Sequence, residues 1–236
     1  MSTPAGPTGS LAPFKSRLGG FFLPENRIVF LVDGFNVYHS AKQAAADLGG
    51  ATTLWLDLRA LLSSYMSIFG RNAVLTDIYY FSALAKHIDS KRPGTTKKHQ
   101  DYIDCLKSTG VKVRLGRFKY KTIWCGGCKK NNVHYEEKET DVALSLKIIE
   151  LFHLDACDTL VLVTGDTDLA PAVRTAADIF PEKSVCFAFP YKRKNKELNA
   201  ITDKSSLIRK ERYAANQFDD PYTGVAGRTI SKPTTW

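Results

Sequence analysis

No segment of the chain approaches the ~18 to 20 consecutive apolar residues that a membrane-spanning helix requires, so no passage into a membrane is expected. Residues 1–20 lack an apolar h-region as well. Their Pro, Gly, Ser and Thr content reads as part of a disordered leader over residues 1–26 rather than a signal peptide, and the expected location is the cytoplasm. Cysteine is scarce: five residues, odd in number and scattered, do not make the framework of a small secreted domain, which leaves reduced thiols or a metal site. A GxGxxG fingerprint is missing, so a dinucleotide would need another protein or another mode of binding.

What the 236 residues do contain is 44% hydrophobic and 24% charged, enough for one well-buried core and one domain over residues 27–210. The formal charge of +9 favours an anionic partner, because a polyanion rewards clustered Lys and Arg by counterion release. Buried strands are expected at residues 27–32 (RIVFLV), 73–82, 159–164 (TLVLVT) and 184–189 (SVCFAF). Helices are expected at 36–47, 54–69 with Asp57 as N-cap, 97–108 ended by Gly110, 141–153 and 168–180. Residues 111–121 read as strand, turn and strand about Gly116, and 133–138 as their partner. A cysteine-containing hairpin insertion is thus expected at about 117–138 and an irregular tail at 211–236. Alternating strands and helices imply a Rossmann-like α/β fold, its sheet mainly parallel with helices on both faces and its sites at the carboxyl ends of strands.

Two of those buried strands run into acids: Val32 into Asp33, and Val163-Thr164-Gly165 into Asp166 and Asp168. Asp141 heads a helix, where negative charge is also favoured. Several carboxylates at one sheet edge repel one another unless a cation neutralises them, and hard oxygen ligands suit Mg²⁺ or Mn²⁺. A water so oriented would attack phosphorus. Taken singly, each Asp is equally a turn former or an N-cap. Asn36 would hold a carboxylate or cap a helix, Thr164 would donate a hydroxyl into the cluster or close a strand end, and Lys138 would balance charge or lie in solvent.

The residues VDGFNVY at 32–38, YEEKETDVALSL at 135–146, VTGDTDLAPAV at 163–173 and FPYKRKNKEL at 189–198 resemble the NYN domain, a branch of the PIN-like nuclease superfamily, over about 27–210. The resemblance implies a PIN-type fold and a Mg- or Mn-dependent ribonuclease site acting on RNA. It carries over Asp33, Asn36, Asp141, Asp166 and Asp168. It also implies a further acid on the helix after the second motif, where Lys147 stands, so four carboxylates are expected. Some similar chains are assigned to pyridine-ring hydroxylation, and activity in the family is unevenly established, so a hydroxylase of an N-heterocycle and a silent RNA-binding or adaptor domain stay open beside the nuclease.

Two further features bear on ligands. Cys125-Gly-Gly-Cys128 has the spacing of half a zinc knuckle, with His134 as a possible third ligand of a structural Zn²⁺, or else is a reduced or redox dithiol. The basic strip Lys192, Arg193, Lys194 and Lys196 follows the same sheet edge and is expected to contact phosphate, with Tyr191 available to stack on a base.

Overall fold

The structure, a computed structural model, describes residues 24–202 and 204–236. The leader expected at 1–26 therefore lies almost wholly outside the described residues.

β1 (Asn26–Asp33) explains the architecture. Its side chains alternate between two apolar clusters: Ile28, Phe30 and Val32 face one, Val29 and Leu31 the other, and none is exposed to solvent. A strand buried on both faces must lie inside a sheet covered on both sides. β1 is flanked by β2 (Ala73–Ala83) and β5 (Thr159–Val163), both parallel to it. Beyond β2 come β3 (Lys112–Cys125), parallel, and β4 (Lys130–Lys138), antiparallel; beyond β5 come β6 (Ser184–Phe189) and β7 (Ser205–Leu207). The seven-stranded order is β4-β3-β2-β1-β5-β6-β7. One face packs on α1 (Gly34–Asp47), α2 (Leu58–Ser63) and α3 (Thr95–Ser108); the other packs on α4 (Thr140–His153) and α5 (Ala170–Ile179). The expected mainly parallel α/β sheet with helices on both faces is what forms.

Three details differ from the sequence reading. β3 does not turn at Gly116 but runs straight through it. Glycine is needed there because a Cβ would lie 2.8 Å from the Lys138 carbonyl oxygen and 3.0 Å from Thr140 Oγ1, where β4 crosses over into α4. The helix expected at 54–69 shortens to α2, capped by Asp57 Oδ1 on the Ala60 N–H at 3.0 Å, and a 3-10 turn at Met66–Phe69. Residues 211–236 are not irregular. After α6 (Lys196–Ala200), α7 (Lys210–Ala215) buries Tyr213, and a small hairpin of β8 (Tyr222–Thr223) and β9 (Thr229–Ile230) buries Ile230 on the face that holds Trp55. Trp55 donates its ring N–H to the Asp219 carbonyl at 3.2 Å and packs edge-on against Trp236. Aromatics of the last stretch thus cover a surface that helices alone leave open.

At the amino edge of the sheet the charges are matched. Arg27 pairs with Asp155 and Asp158 at 2.8 Å each, and Lys183 pairs with the same two acids at 2.5 and 3.4 Å. Among the described residues no helix is long and apolar enough to cross a membrane.

Candidate active site at the carboxyl edge of the sheet

The opposite edge is built differently. Asp33 ends β1 and caps α1, 5% exposed. Its Oδ1 accepts from the Asn36 N–H at 3.0 Å, and its Oδ2 accepts from Asn36 Nδ2 at 2.5 Å and Thr164 Oγ1 at 2.9 Å. Asn36 Oδ1 in turn accepts the Gly165 N–H at 3.3 Å, Thr164 Oγ1 accepts the Asp166 N–H at 3.1 Å, and Asp166 Oδ1 accepts the Asp168 N–H at 3.1 Å. A continuous run of hydrogen bonds therefore ties the end of β1 to the end of β5. Asp33 caps α1, Thr164 and Asp166 close the turn after β5, and Asn36, inside α1 rather than at its cap, holds the Asp33 carboxylate with its amide.

Asp141 arrives from the other side. Glu139, at a φ of 82°, makes the sharp turn from β4 into α4 and leaves Asp141 in the first helical turn. Partial burial raises the Asp141 pKa, and Asp166, Asp33 and Asp168 raise it further. Burial likewise raises Asp33, against the hydrogen bonds from Asn36 and Thr164, with Asp166 adding to the rise. A fifth carboxylate was missed by the sequence reading. Glu137, half-buried, accepts from the Thr140 hydroxyl, and burial, with Asp33 and Asp141 adding to it, pushes its pKa up to about 7. Strand alternation was the available signal: Glu136 and Lys138 share the outer face and pair at 2.9 Å, so Glu137 must point the other way. That pair also takes Lys138 away from the cluster. Lys147 points elsewhere too, bonded to both Glu150 oxygens at 2.6 Å and lying over the Tyr79 ring.

Asp33, Glu137, Asp141, Asp166 and Asp168 thus share one edge, and among the described residues none of them has a salt bridge. They do not close into a coordination sphere: among the described residues no group of three or more His, Cys, Asp or Glu is arranged to hold a metal ion. Mutual repulsion keeps them apart while protein donors occupy Asp33 and Asp166. Their chemistry nevertheless fits a hard divalent cation, since all are oxygen ligands and three have raised proton affinities that a cation would relieve.

The other expected ligands are dispersed. Cys125 pairs with Lys130 across the hairpin while His134 pairs with Lys121, so His134 sits four residues, or about 13 Å, along the strand from the thiols and does not complete a zinc site. Cys125 and Cys128 are free at the hairpin tip, and N–H groups of Cys128 and Gly127, with the Cys128 thiol, lower the Cys125 pKa. The basic strip splits. Lys192 pairs with Asp47 at 2.5 Å and Tyr191 donates its hydroxyl to the same carboxylate at 3.0 Å, which draws both side-chain ends to the last turn of α1, while Ser40 holds the Tyr191 carbonyl at 2.7 Å midway along that helix. Tyr191 is therefore not free to stack on a base. Arg193 does reach the site: its main chain passes directly over Gly165. Lys194 and Lys196 are exposed.

The raised carboxylates make a test of the clustering. The folded chain retains protons on Glu137, Asp33 and Asp141 that the unfolded chain gives up in the ordinary carboxylate range, so the stability these three groups contribute is fully present below that range and is lost as pH rises through about 7. With chelator present, melting temperature should fall between pH 5 and 8. Glu137→Gln should remove part of that fall, about 2–4 °C for a screened contribution near 1 kcal/mol. A melting temperature that rises over this range would show that the carboxylates do not repel.

The family model of the NYN domain matches residues 27–207, and NYN domains are PIN-like nucleases that generally use divalent metal ions and act on RNA. No curated protein matches the chain. Among solved structures, a protein of unknown function from Vibrio parahaemolyticus RIMD 2210633 is similar at a TM-score of 0.50 and 19% identity, over 78% of this chain and 94% of that one, a likeness of fold. A putative UDP-N-acetylglucosamine 2-epimerase from Listeria monocytogenes aligns at a TM-score of 0.32 and 10% identity, over 78% of this chain and 39% of that one, and bears on nothing here. With four matching motifs, a mainly parallel α/β sheet and a family match over most of its length, the chain belongs to the NYN domain family.

Proposed function

We propose that the chain is a metal-dependent endoribonuclease that hydrolyses phosphodiesters of single-stranded or loop RNA. The observation that carries this reading is the contrast between the two sheet edges: acids at the amino edge are paired with Arg27 and Lys183, while the carboxyl edge gathers Asp33, Glu137, Asp141, Asp166 and Asp168, none of which has a salt-bridge partner among the described residues. Natural folds keep such uncompensated charge where function requires it. Asp33, Asp141, Asp166 and Asp168 would hold Mg²⁺ or Mn²⁺, which supplies charge stabilisation to the phosphate oxygens and the leaving oxygen. Asn36 and Thr164 hold the Asp33 carboxylate in place. Glu137, poised near neutral pH, is the group suited to accept a proton from the attacking water, its Oε1 fixed by the Thr140 hydroxyl.

The β3–β4 hairpin supports RNA as the substrate. Register and alternation place Phe118, Tyr120, Trp124 and Tyr135 on the face that ends at Glu137, and Arg117, Lys119, Lys121 and Lys130 on the other. Tyr120 and Trp124 are 73% and 61% exposed. Aromatic rungs beside a basic face suit the bases and phosphates of a single strand. Trp124→Ala should weaken RNA binding by about 1–3 kcal/mol, or roughly 5- to 150-fold, without changing the salt dependence, whereas each Lys→Ala on the basic face that removes a phosphate contact should lower the log-log salt slope by about 0.7. Equal losses of slope in both would assign the hairpin to charge alone.

Labelled single-stranded RNA incubated with Mg²⁺, with Mn²⁺ and with chelator tests the activity. Metal-dependent cleavage is expected. Binding without cleavage in any condition would leave the adaptor reading, and nicotinamide cofactor consumption that depends on a pyridine substrate would favour the hydroxylase.

A further inference from the structure

Beside the acidic edge, between α1 and α3, the described residues enclose a cavity of about 490 Å³. Pockets that bury small organic ligands span about 300–1,000 Å³. Three features of its lining decide what it suits. Its walls are aromatic: Phe35 and Tyr38 come from the first turns of α1, and Trp236 from the last residue of the chain. Its inner surface carries polar groups able to read an uncharged edge. Tyr80 and Ser82 lie there, both buried, with their hydroxyls bonded to each other. His99 also lines it, with no hydrogen bond to its ring among the described residues, and burial pushes its pKa to about 4, so at neutral pH the imidazole is an uncharged donor and acceptor. Cations meet the same cavity: Lys42, which also lies over the Tyr38 ring at 5.7 Å, and Arg92, neither with a carboxylate partner among the described residues.

The cavity is continuous with the acidic edge. Gly34, which lines it, follows Asp33 directly, and the buried Tyr80 hydroxyl is close enough to Asp33 and Glu137 for both to raise its pKa. Phe35 lines the cavity and also packs edge-on against Phe118 at the root of the hairpin, 5.8 Å between ring centroids. One wall thus separates the place where a base would stack from the place where a phosphate would be cut.

We propose that this cavity is a base-binding subsite, which takes one nucleobase splayed out of the RNA strand that crosses the acidic edge. Phe35 and Tyr38 face the ring, His99 and Ser82 read its polar edge, and Lys42 and Arg92 meet the flanking phosphate. A base so held out of the stack fixes which phosphodiester sits among the carboxylates, so the cavity sets cleavage position. The inference rests on the nuclease reading but is measured apart from it.

Binding is followed in chelator, where cleavage does not intervene, with a short single-stranded RNA and a set of the same RNA carrying one abasic nucleotide at each position in turn. The expected result is one position at which loss of the base weakens binding roughly 5- to 150-fold, as for one stacked base. In Tyr38→Ala, a substitution at a residue 40% exposed, that position should lose its distinction while melting temperature is unchanged. Arg92→Ala should weaken binding of every RNA in the set alike. Indifference to the abasic position in the wild type, or a Tyr38→Ala variant that still distinguishes it, overturns the inference. If metal-dependent cleavage persists in that case, the nuclease reading stands and the subsite alone falls. Binding of pyridine-3-carboxylate in place of RNA would overturn both and assign the cavity to a free heterocycle.

Discussion

Asp166→Asn is expected to lower metal-dependent RNA cleavage by about 10²- to 10³-fold, the scale on which such electrostatic groups act. In the structure Asp166 has two duties that the substitution separates. Its Oδ1 accepts the Asp168 N–H at 3.1 Å to open the turn into α5, and an asparagine oxygen keeps that bond. Its negative charge, felt at Asp33 and Asp141, is what asparagine removes. A purely structural residue would therefore tolerate the change. Without metal the variant should melt at the same temperature as the wild type or above it, because one source of repulsion is gone. Initial rates on one RNA with Mg²⁺ and Mn²⁺, beside thermal melts in chelator, decide the matter. Full activity in the variant would remove Asp166 from the mechanism.

Gly165→Ala should damage both fold and function. A Cβ at this position would stand 2.2 Å from the Arg193 carbonyl oxygen and 3.0 Å from the Arg193 Cβ. The obstacle is main chain, which has no rotamer to change, so the segment after β6 must shift. Overpacking of this kind costs about 1–3 kcal/mol, which for a chain of this size lowers the melting temperature by about 2–4 °C per kcal/mol. The Gly165 N–H also donates to Asn36 Oδ1, so the same displacement loosens the residue that holds Asp33. A loss of kcat larger than the loss of stability explains is expected. Wild-type melting and wild-type rates together would show that the Arg193 segment yields freely and positions nothing.

The two substitutions illustrate how unevenly the site was legible. Asp33, Asp141, Asp166 and Asp168 were visible as acids that end buried strands or head a helix, and the structure does bring them to one edge. Glu137 was passed over although it stands in the same motif as Asp141, because its orientation depends on which face of β4 looks inward. The place of Lys192 after β6 suggests a phosphate contact, yet its ammonium pairs with Asp47 at 2.5 Å. His134 does not join the two cysteines, for a related reason. Spacing alone brings Cys125 and Cys128 together, but the antiparallel register carries His134 away from them.

The class of fold and the chemical character of its edge are written in short stretches of the chain. The runs IVFLV at 28–32 and LVLV at 160–163 are apolar at every position, so their strands must be covered on both faces, and a parallel sheet then sends the acids that follow to a common side. These are local rules of period and solubility, and they act before any distant contact forms. Which charges are compensated depends on contacts between distant segments: Asp158 meets Arg27 across 131 residues, while among the described residues Asp33 meets hydroxyl and amide donors. Tertiary structure also decided that residues 211–236 join the core, through the packing of Trp236 against Trp55 and the burial of Tyr213 and Ile230, and that a cavity opens beside the carboxylates. Burial and pairing are properties of surfaces that exist only once the layers have come together, and no window of sequence contains both of their sides.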